Sequence, residues 1–351
     1  MKIFVTGIGV ISAIGIDAKE NLSSLQAGIT GITKSYIYNL MLGEVRLTNE
    51  QIIQMLGLPG EDFSRTTLLS LIAAKEAWGN NCIQDNIRTG LISSTSVGGL
   101  DRMEKYYFEY QKNESSNGYK LMTHDNGRIT ERVAFELGIS GYIGTISTAC
   151  SSGANAIMQG ARFIEGNKLD RVIVGGCDPL ALYDIKGFSS LNIYDQDICK
   201  PFDESRKGLN LGEGAGFLVL ESEQSTAITG NTPLCILSGW NNATDAFHQT
   251  ASSADGKGAG LVMTNALTKA NITPEKISYI NAHGTGTGNN DLSESIAIQR
   301  VFNNNIPPFS STKGFTGHTL AAAGAIEAVY CVQSIQAQSI FPNLNFSTPM
   351  T

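Results

Sequence analysis

Short apolar runs rich in β-branched residues alternate with amphipathic segments along the chain. Runs typical of buried strands cover residues 3–5, 91–94, 143–147, 171–174 and 217–220. Between them, Ser64 is placed to cap a helix that ends near Gly79, and a second helix is predicted over 126–137. This alternation predicts an α/β fold in which helices cover a parallel or mixed sheet.

The alternation restarts after a polar, turn-rich stretch, TAITGNTP, at 226–233. Beyond it the pattern predicts strands over 235–237, 277–280 and 309–311 and helices over 261–270 and 291–302. We therefore predict a boundary near residue 230, which divides the chain into halves 1–230 and 231–351. The segment 100–125 lacks a clean period and is expected to lie outside the core, as an insertion or an interface arm.

Two predicted helices are unusually rich in small residues. They cover 151–164 (SSGANAIMQGARFI) and 320–332 (LAAAGAIEAVYCV). Because small side chains let helix backbones approach closely, both helices are expected to be buried between layers of sheet. One of them would begin directly after Cys150 and the other soon after His318.

Composition narrows the class of protein. The chain has 351 residues, 42% of them hydrophobic and 16% charged, and 38 glycines, a balance that suits a compact α/β enzyme. A net charge of −7 and the absence of a Lys/Arg run argue against a nucleic-acid partner. The apolar N-terminus, MKIFVTGIGVISAIG, is interpreted as a strand, and no apolar run reaches the length of a membrane span.

Six cysteines at irregular spacings, without a C-x-x-C pair, favour reduced thiols and a cytoplasmic location over disulfides. Cys150 differs from the others because it lies between a predicted strand and a predicted helix. At such a junction unpaired backbone N–H groups and the helix dipole favour the thiolate, so Cys150 is the candidate nucleophile. The other five are interpreted as structural: Cys82, Cys177, Cys199, Cys235 and Cys331.

Histidine is scarce, and two of the four occupy unusual positions. His283 ends a predicted strand in NAHGTGTGNND, and His318 lies in STKGFTGHTLAAAG before a small-residue helix. One thiol and two imidazoles at strand ends indicate nucleophilic catalysis, with the imidazoles stabilising developing charge. His124 is interpreted as an ordinary polar residue, and His248 stays undecided.

Two other chemistries are possible for these residues. Cys150, His283 and His318 could form a zinc site, but their spacing is not typical of zinc ligands. The glycine-rich runs GIGVIS (7–12) and GTGTG (284–288) could suggest an NAD site, but neither completes a nucleotide-binding fingerprint. We interpret both runs as tight turns and predict neither a metal nor a cofactor.

Three motifs carry a resemblance to a known family. TACSSG around Cys150, NAHGTGT around His283 and KGFTGHTLAAAGAIEA around Lys313 and His318 resemble the signatures of β-ketoacyl-[acyl carrier protein] synthases. The resemblance extends to PFDESRKGLNLGEGAGFLVLE (201–221) and covers nearly the whole chain. It implies a thiolase-like duplicated fold, layered α-β-α-β-α, with the nucleophile in the first half and both histidines in the second.

The resemblance also implies a reaction and its partners. Cys150 would take an acyl group from an acyl carrier protein thioester, while His283 and His318 would bind a malonyl thioester and stabilise its enolate after decarboxylation. The product would be a 3-oxoacyl-[acyl carrier protein], in fatty acid, polyketide or polyene biosynthesis. Thiolases share this fold, but their second cysteine has no counterpart here.

Further residues take roles only through the resemblance. Lys313 joins the catalytic set, Glu327 supports it, and the backbone N–H of Cys150 is one oxyanion donor. A plain Lys313–Glu327 salt bridge is the alternative. Since carrier proteins are acidic, basic residues near the tunnel mouth are docking candidates: Arg65, Arg128, Arg132, Arg206 and Lys207.

The resemblance also implies a second oxyanion donor, on a glycine-rich loop that would follow the last residues, PNLNFSTPMT, together with closing strands. The resemblance to the family further implies a homodimer. A weakly active or non-catalytic partner subunit, in a heterodimer with another ketosynthase-like chain, is the alternative. Acyl length and pathway depend on tunnel shape, which the sequence leaves open.

Overall fold

The computed structural model describes residues 2–59, 63–112, 121, 124–248, 250–303 and 305–350, apart from the side chain of Phe108. Its strands are β1 (Ile3–Ser12), β2 (Thr33–Lys34), β3 (Met41–Leu42), β4 (Thr89–Ser94), β5 (Ile143–Ile146), β6 (Arg171–Asp178), β7 (Gly214–Ser222), β8 (Cys235–Ile236), β9 (Ile280–Asn281) and β10 (Phe309–Ser310). Its α-helices are α1 (Ala18–Ala27), α2 (Asn49–Leu56), α3 (Arg65–Trp78), α4 (Leu100–Gln111), α5 (Asn126–Glu136), α6 (Ser152–Glu165), α7 (Leu182–Ser190), α8 (Glu223–Thr229), α9 (Lys257–Ala270), α10 (Gly288–Phe302), α11 (Lys313–Thr316) and α12 (Ala323–Ala337).

Within these described ranges, six strands form one mixed sheet in the order β5-β4-β6-β7-β1-β8. Strands β5, β4 and β6 are parallel, whereas β7 is antiparallel to both β6 and β1. Side chains alternate between two cores, as expected of a sheet covered on both faces. Along β6, for example, Val172 and Val174 face one core and Ile173 faces the other.

Helix α3 covers one face of the sheet, and α6 and α12 cover the other. The two small-residue helices touch backbone to backbone: a Cβ on Gly153 would lie 2.7 Å from the Ala325 nitrogen, and one on Gly324 would lie 2.9 Å from the Ala154 nitrogen. The small side chains thus allow the two helices to approach each other closely. Their contact also brings the loop before α6 next to the loop before α12.

The glycine run near the N-terminus differs from its prediction as a tight turn. Gly7 and Gly9 lie inside β1, and a Cβ on either would lie 2.1 Å from a backbone oxygen of α3, at Ala77 and Ala73. The glycines therefore let a helix pack directly on the strand. A dinucleotide has no room at this position.

The helix predicted from Ser64 is confirmed: Ser64 caps α3 through the Thr67 N–H, and Gly79 follows the last residue. Segment 100–125 was predicted to lie outside the core, and its residues 100–111 form α4, which rests on α7 because Glu104 accepts from the Leu182 and Tyr183 N–H groups. Among the side chains of α4 that the structure describes, only Tyr106 is buried, so the helix lies largely outside the core and its core-facing pattern is too sparse to show a period. Residues 113–120, 122 and 123 of that segment lie outside the described residues.

The second half contributes the parallel pair β9–β10, in which Ile280 faces Phe309. The strand predicted over 277–280 begins only at Ile280, because a short 3₁₀-helix, Pro274–Lys276, occupies the approach. In the part of the chain that the structure describes, no helix has both the length and the apolar content to cross a bilayer.

Candidate active site

Cys150 lies on a sharp turn between β5 and α6. The preceding Ala149 has a positive φ of 52°, which a residue with a Cβ adopts only under constraint. Ser152 supplies that constraint: its Oγ accepts from the Thr148 N–H at 2.7 Å and donates to the Ala149 carbonyl at 2.6 Å. The turn therefore holds the half-buried Cys150 side chain at the head of a buried helix.

His318 lies opposite the thiol, and its Nε2 is 3.0 Å from Cys150 Sγ. Backbone bonds anchor the residue: its N–H donates to Asn210 O at 2.7 Å, and its carbonyl accepts from the Gly212 N–H at 3.0 Å. The Leu320 N–H donates to His318 Nδ1 at 3.3 Å. Since Nδ1 acts as an acceptor, Nε2 carries the proton and points an N–H toward the sulfur.

His283 completes the group from the end of β9. Its ring packs edge-on to that of His318, with centroids 5.2 Å apart. The Lys313 ammonium lies 3.2 Å from His283 Nδ1. Because an ammonium can only donate, this contact also assigns the proton of His283 to Nε2.

Both imidazoles are therefore fixed as Nε2–H donors. Burial first, and then the charge of Lys313, hold the pKa of His283 and of His318 well below the usual range. Both rings stay neutral at physiological pH as a result. Two neutral donors beside one sulfur can stabilise negative charge on an oxygen bound between them.

The thiol itself behaves differently from the sequence expectation. Helix α6 begins only at Ser152, and burial raises the pKa of Cys150, although the charge of Lys313 and the Cys150 backbone N–H partly oppose this rise. The resting side chain is thus a thiol. The helix position alone does not activate it, and Lys313 supplies the main opposing electrostatic effect.

Lys313 and Glu327 form an ion pair inside the protein, where their side chains are only 3% and 16% exposed. Burial raises the pKa of Glu327, and the Lys313 charge opposes that effect. The same ammonium also lies beside His283. Lys313 therefore makes both the contact expected of a salt bridge with Glu327 and the contact expected of a member of the catalytic group. The structure brings four predicted residues and their supporting carboxylate together: Cys150, His283, His318, Lys313 and Glu327.

Two buried carboxylates in this region were missed by the sequence analysis. Glu294, on α10, accepts from the N–H groups of His283 and Gly284 at 2.7 and 2.8 Å, and burial raises its pKa to about 7. Asp178, at the end of β6, accepts from Thr95 Oγ1 at 2.6 Å and from the Ala321 N–H at 2.8 Å. Both carboxylates bind backbone N–H groups of the loops that carry the histidines. In the sequence, Asp178 stands at the end of a strand and Glu294 in the helix that follows the His283 loop, and these positions could have identified them.

The five basic residues predicted as docking contacts differ in their exposure and in their partners. The Arg65 side chain is 17% exposed, makes a two-pronged salt bridge to Glu213 at 2.6 and 2.7 Å, and donates to the Leu47 and Val45 carbonyls. This geometry removes Arg65 from the docking candidates, because its guanidinium is committed to the interior. Lys207 is exposed.

The remaining candidates have local partners. Arg128 is exposed and pairs with Glu131 at 3.2 Å. Arg132 pairs with Glu136 at 2.8 Å and stacks on Phe63. The Arg206 guanidinium donates to the Asp203 and Gly288 carbonyls. His124 and His248 are exposed and lie outside the group around Cys150.

A metal reading of the site is geometrically possible, since one ligand atom from each of Cys150, His283 and His318 lies within 4.8 Å of the others. No fourth His, Cys or acidic ligand joins them among the described residues. The Lys313 ammonium beside His283 would repel a divalent cation. The donor set therefore suits charge stabilisation better than zinc binding.

Comparisons with known proteins agree with this arrangement. Residues 1–226 match the family model for the β-ketoacyl synthase N-terminal domain, and 234–347 match that for the C-terminal domain. The chain is 32% identical to a 3-oxoacyl-[acyl-carrier-protein] synthase 2 of Staphylococcus aureus (strain MRSA252), over 99% of this chain and 89% of the relative.

Solved structures show the same fold. A ketosynthase in complex with its chain length factor from Xenorhabdus doucetiae superposes with a TM-score of 0.82 and 32% identity, over 99% of this chain and 92% of that one. A type II polyketide synthase acyl-carrier protein in complex with its hexaketide-bound ketosynthase gives a TM-score of 0.88 and 27% identity, over 99% and 90%. The family models, the relatives and the thiolase-like fold agree, and the chain belongs to the β-ketoacyl synthase family.

Proposed function

We propose that the protein catalyses a decarboxylative Claisen condensation between an acyl thioester and malonyl-[acyl carrier protein]. The observation that carries the proposal is the convergence of two neutral imidazole Nε2–H donors on one thiol, with His318 Nε2 3.0 Å from Cys150 Sγ. Such a set combines a nucleophile with preorganised donors for an oxyanion. The product is a 3-oxoacyl-[acyl carrier protein], two carbons longer than the acyl substrate.

In the first half-reaction, the Cys150 sulfur attacks the acyl carbonyl of a carrier-bound thioester. The new S–C bond forms as the carrier's C–S bond breaks, and the carrier thiol leaves with the proton that Cys150 gives up. Lys313 lowers the cost of ionising the buried thiol. The backbone N–H of Cys150 serves as one donor to the oxyanion of the tetrahedral intermediate.

In the second half-reaction, the thioester carbonyl of malonyl-[acyl carrier protein] binds between the Nε2–H groups of His283 and His318. The C–C bond to the carboxylate breaks, carbon dioxide leaves, and the electron pair forms an enolate that the two donors stabilise. The enolate carbon then attacks the acyl carbonyl on Cys150. A new C–C bond forms, and the Cys150 sulfur leaves as the thiolate.

Lys313 acts as a positioning residue, because it touches His283 and neutralises Glu327. Glu294 holds the backbone of His283 in place. The acyl carrier protein is the protein partner, and Arg128, Arg132, Arg206 and Lys207 remain its proposed contacts. We propose that the halves 1–230 and 231–351 form the two units of the duplicated fold, which the ranges of the two family models support.

A homodimer in the cytoplasm completes the proposal. All six cysteines fall in the described residues and are free thiols, which suits a reducing compartment. Fatty acid and polyketide or polyene synthesis both use this reaction. The alternative, a non-catalytic subunit paired with another ketosynthase-like chain, predicts no reaction at Cys150.

The test uses the purified protein with an acyl carrier protein thioester and malonyl-[acyl carrier protein] labelled at the free carboxyl. We expect one labelled carbon dioxide for each 3-oxoacyl product. Cys150→Ala should abolish the product while retaining some decarboxylation, since both histidines remain, and His318→Ala should slow decarboxylation itself. Product formation that is unchanged in Cys150→Ala would overturn the proposal, and no product from the native protein would favour the partner subunit.

A further inference from the structure

A cavity lies where the loop after β4 meets α4, α5 and α7. Its volume is about 460 Å³, and the described residues that line it include Ser96, Val97, Leu100, His124 and Asp184. Val97 and Leu100 give it an apolar side. Asp184, in the first turn of α7, gives it a carboxylate.

Asp184 is the unusual member of this lining. The residue is only 8% exposed, and its Oδ2 is buried without a hydrogen-bond partner among the described residues. Its pKa is raised to about 7, first by burial and then by the charges of Asp178 and Glu104. Buried polar atoms are nearly always paired, so an unpaired carboxylate oxygen beside a cavity indicates a ligand that would pair it.

The cavity is connected to the catalytic centre through Asp178. Ser96, a lining residue, donates its N–H to Asp178 Oδ1 at 2.9 Å, and its hydroxyl bonds the same carboxylate. Asp178 in turn holds the Ala321 N–H, three residues beyond His318. Asp178 also lies close enough to Cys150 to add to the effect of burial on the pKa of that thiol. Asp178 therefore lies close to both Cys150 and the lining of the cavity.

We propose that this cavity receives the distal part of the acyl chain bound to Cys150, and that Asp184 selects chains that carry a hydrogen-bond donor there. This inference rests on the proposed function. A hydroxyl or amino group is the shared chemistry, since either donates to a carboxylate oxygen. Two carboxylates line the cavity. Asp125 is exposed and caps α5 by accepting from the Gly127 N–H, whereas the Asp184 Oδ2 is buried without a partner among the described residues, so Asp184 is the acceptor that lacks a donor.

The physical reason is the cost of an unpaired buried acceptor. A purely alkyl chain would fill the cavity, displace water and leave the Asp184 oxygen unpaired, whereas a donor-bearing chain would pair it. A site built to bond a polar substrate group discriminates against the analogue that lacks it. We expect a preference of roughly 10- to 100-fold for the donor-bearing chain. A fully enclosed site would discriminate more strongly, but this cavity opens to solvent on one side.

The experiment measures single-turnover acylation of Cys150 by intact mass. The probes are carrier-bound acyl chains of several lengths, each in three forms with the same number of heavy atoms, ending in methyl, hydroxyl or amino. The variants are Asp184→Asn, which keeps the shape and an acceptor but loses the charge, and Asp184→Leu, which loses both. Asp85→Asn, an exposed aspartate in the loop after α3, is the matched control.

The native protein and Asp85→Asn should favour a hydroxyl or amino chain over the methyl chain at one or more lengths. Asp184→Asn should lose the amino preference and retain part of the hydroxyl preference, and Asp184→Leu should favour methyl. If Asp184→Leu fails to fold, the amino arm of Asp184→Asn decides. A methyl preference in the native protein at every length, or a polar preference that survives in both variants, would overturn this inference while leaving condensation intact. Failure of every chain to acylate Cys150 would overturn the proposed function and this inference with it.

Discussion

Replacing Lys313 by methionine separates its structural role from its catalytic role. Lys313 Nζ is bonded to Glu327 Oε1 and lies 3.2 Å from His283 Nδ1. Lys313→Met leaves the Glu327 carboxylate buried without a cation, a change that costs about 3–5 kcal/mol in buried pairs. Because Glu327 is 16% exposed and burial already raises its pKa toward protonation, we expect the lower end, about 3 kcal/mol.

The same substitution releases His283. Without the ammonium, nothing holds the proton of its ring on Nε2, so one of the two donors to the enolate is lost for part of the time. Losing one such donor typically costs about 10²–10³-fold in rate, or about 3–4 kcal/mol of barrier. Urea unfolding and the rate of malonyl-[acyl carrier protein] decarboxylation measure the two effects separately.

The double variant Lys313→Met/Glu327→Leu distinguishes them. Replacing both members of a buried pair by apolar residues of similar volume is often neutral for stability. We therefore expect unfolding free energy to recover to within about 1 kcal/mol of the native value, while decarboxylation stays slow. Recovery of both stability and rate in the double variant would refute the assignment of Lys313 as the residue that positions His283.

Three further predictions concern the surroundings of the site. Burial raises the pKa of Glu294 from 4.5 to about 7, so the stability that the protonated side chain contributes is complete below pH 4.5 and is lost as the pH rises through 7. The urea midpoint of unfolding should therefore fall over this pH range in the native protein and fall less in Glu294→Gln. Arg65→Ala should lower the unfolding free energy by about 3 kcal/mol, because the buried Glu213 carboxylate loses its cation and keeps only the Val45 and Leu180 N–H groups; the KM for carrier protein should stay unchanged in steady-state assays. Chelator treatment should leave condensation unchanged, because the Lys313 ammonium disfavours a divalent cation at the thiol and imidazoles; loss of activity on chelation, restored by zinc, would favour a metal site.

Local patterns predicted the elements that carry the site. The strand before Cys150, the small-residue helices and the cap at Ser64 depend on period, capping chemistry and side-chain size, all of which are written in adjacent residues. The small residues predicted that both helices are buried, and the structure shows that α6 and α12 are also in contact with each other. That contact explains how Cys150 and His318, 168 positions apart, come within 3.0 Å.

Contacts between residues that lie far apart in the sequence could not be predicted from such local patterns. Arg65 looked like a surface charge, but Glu213, 148 positions away, holds it in the interior. The roles of Glu294 and Asp178 depend on hydrogen bonds from the backbone of distant loops, at His283 and Ala321, so only the structure identifies them. The acidity of Cys150 also depends on burial, which opposes the helix effect that a local pattern shows.

The most direct test of the central claim is the site at which the protein accepts an acyl group. Intact mass and peptide mapping after incubation with an acyl carrier protein thioester should show one acyl group, on Cys150, although Cys82 is the more exposed thiol. Cys150→Ala should remain unmodified, and Cys82→Ala should be acylated at the native rate. Acylation that persists in Cys150→Ala, or that disappears in Cys82→Ala, would contradict the account.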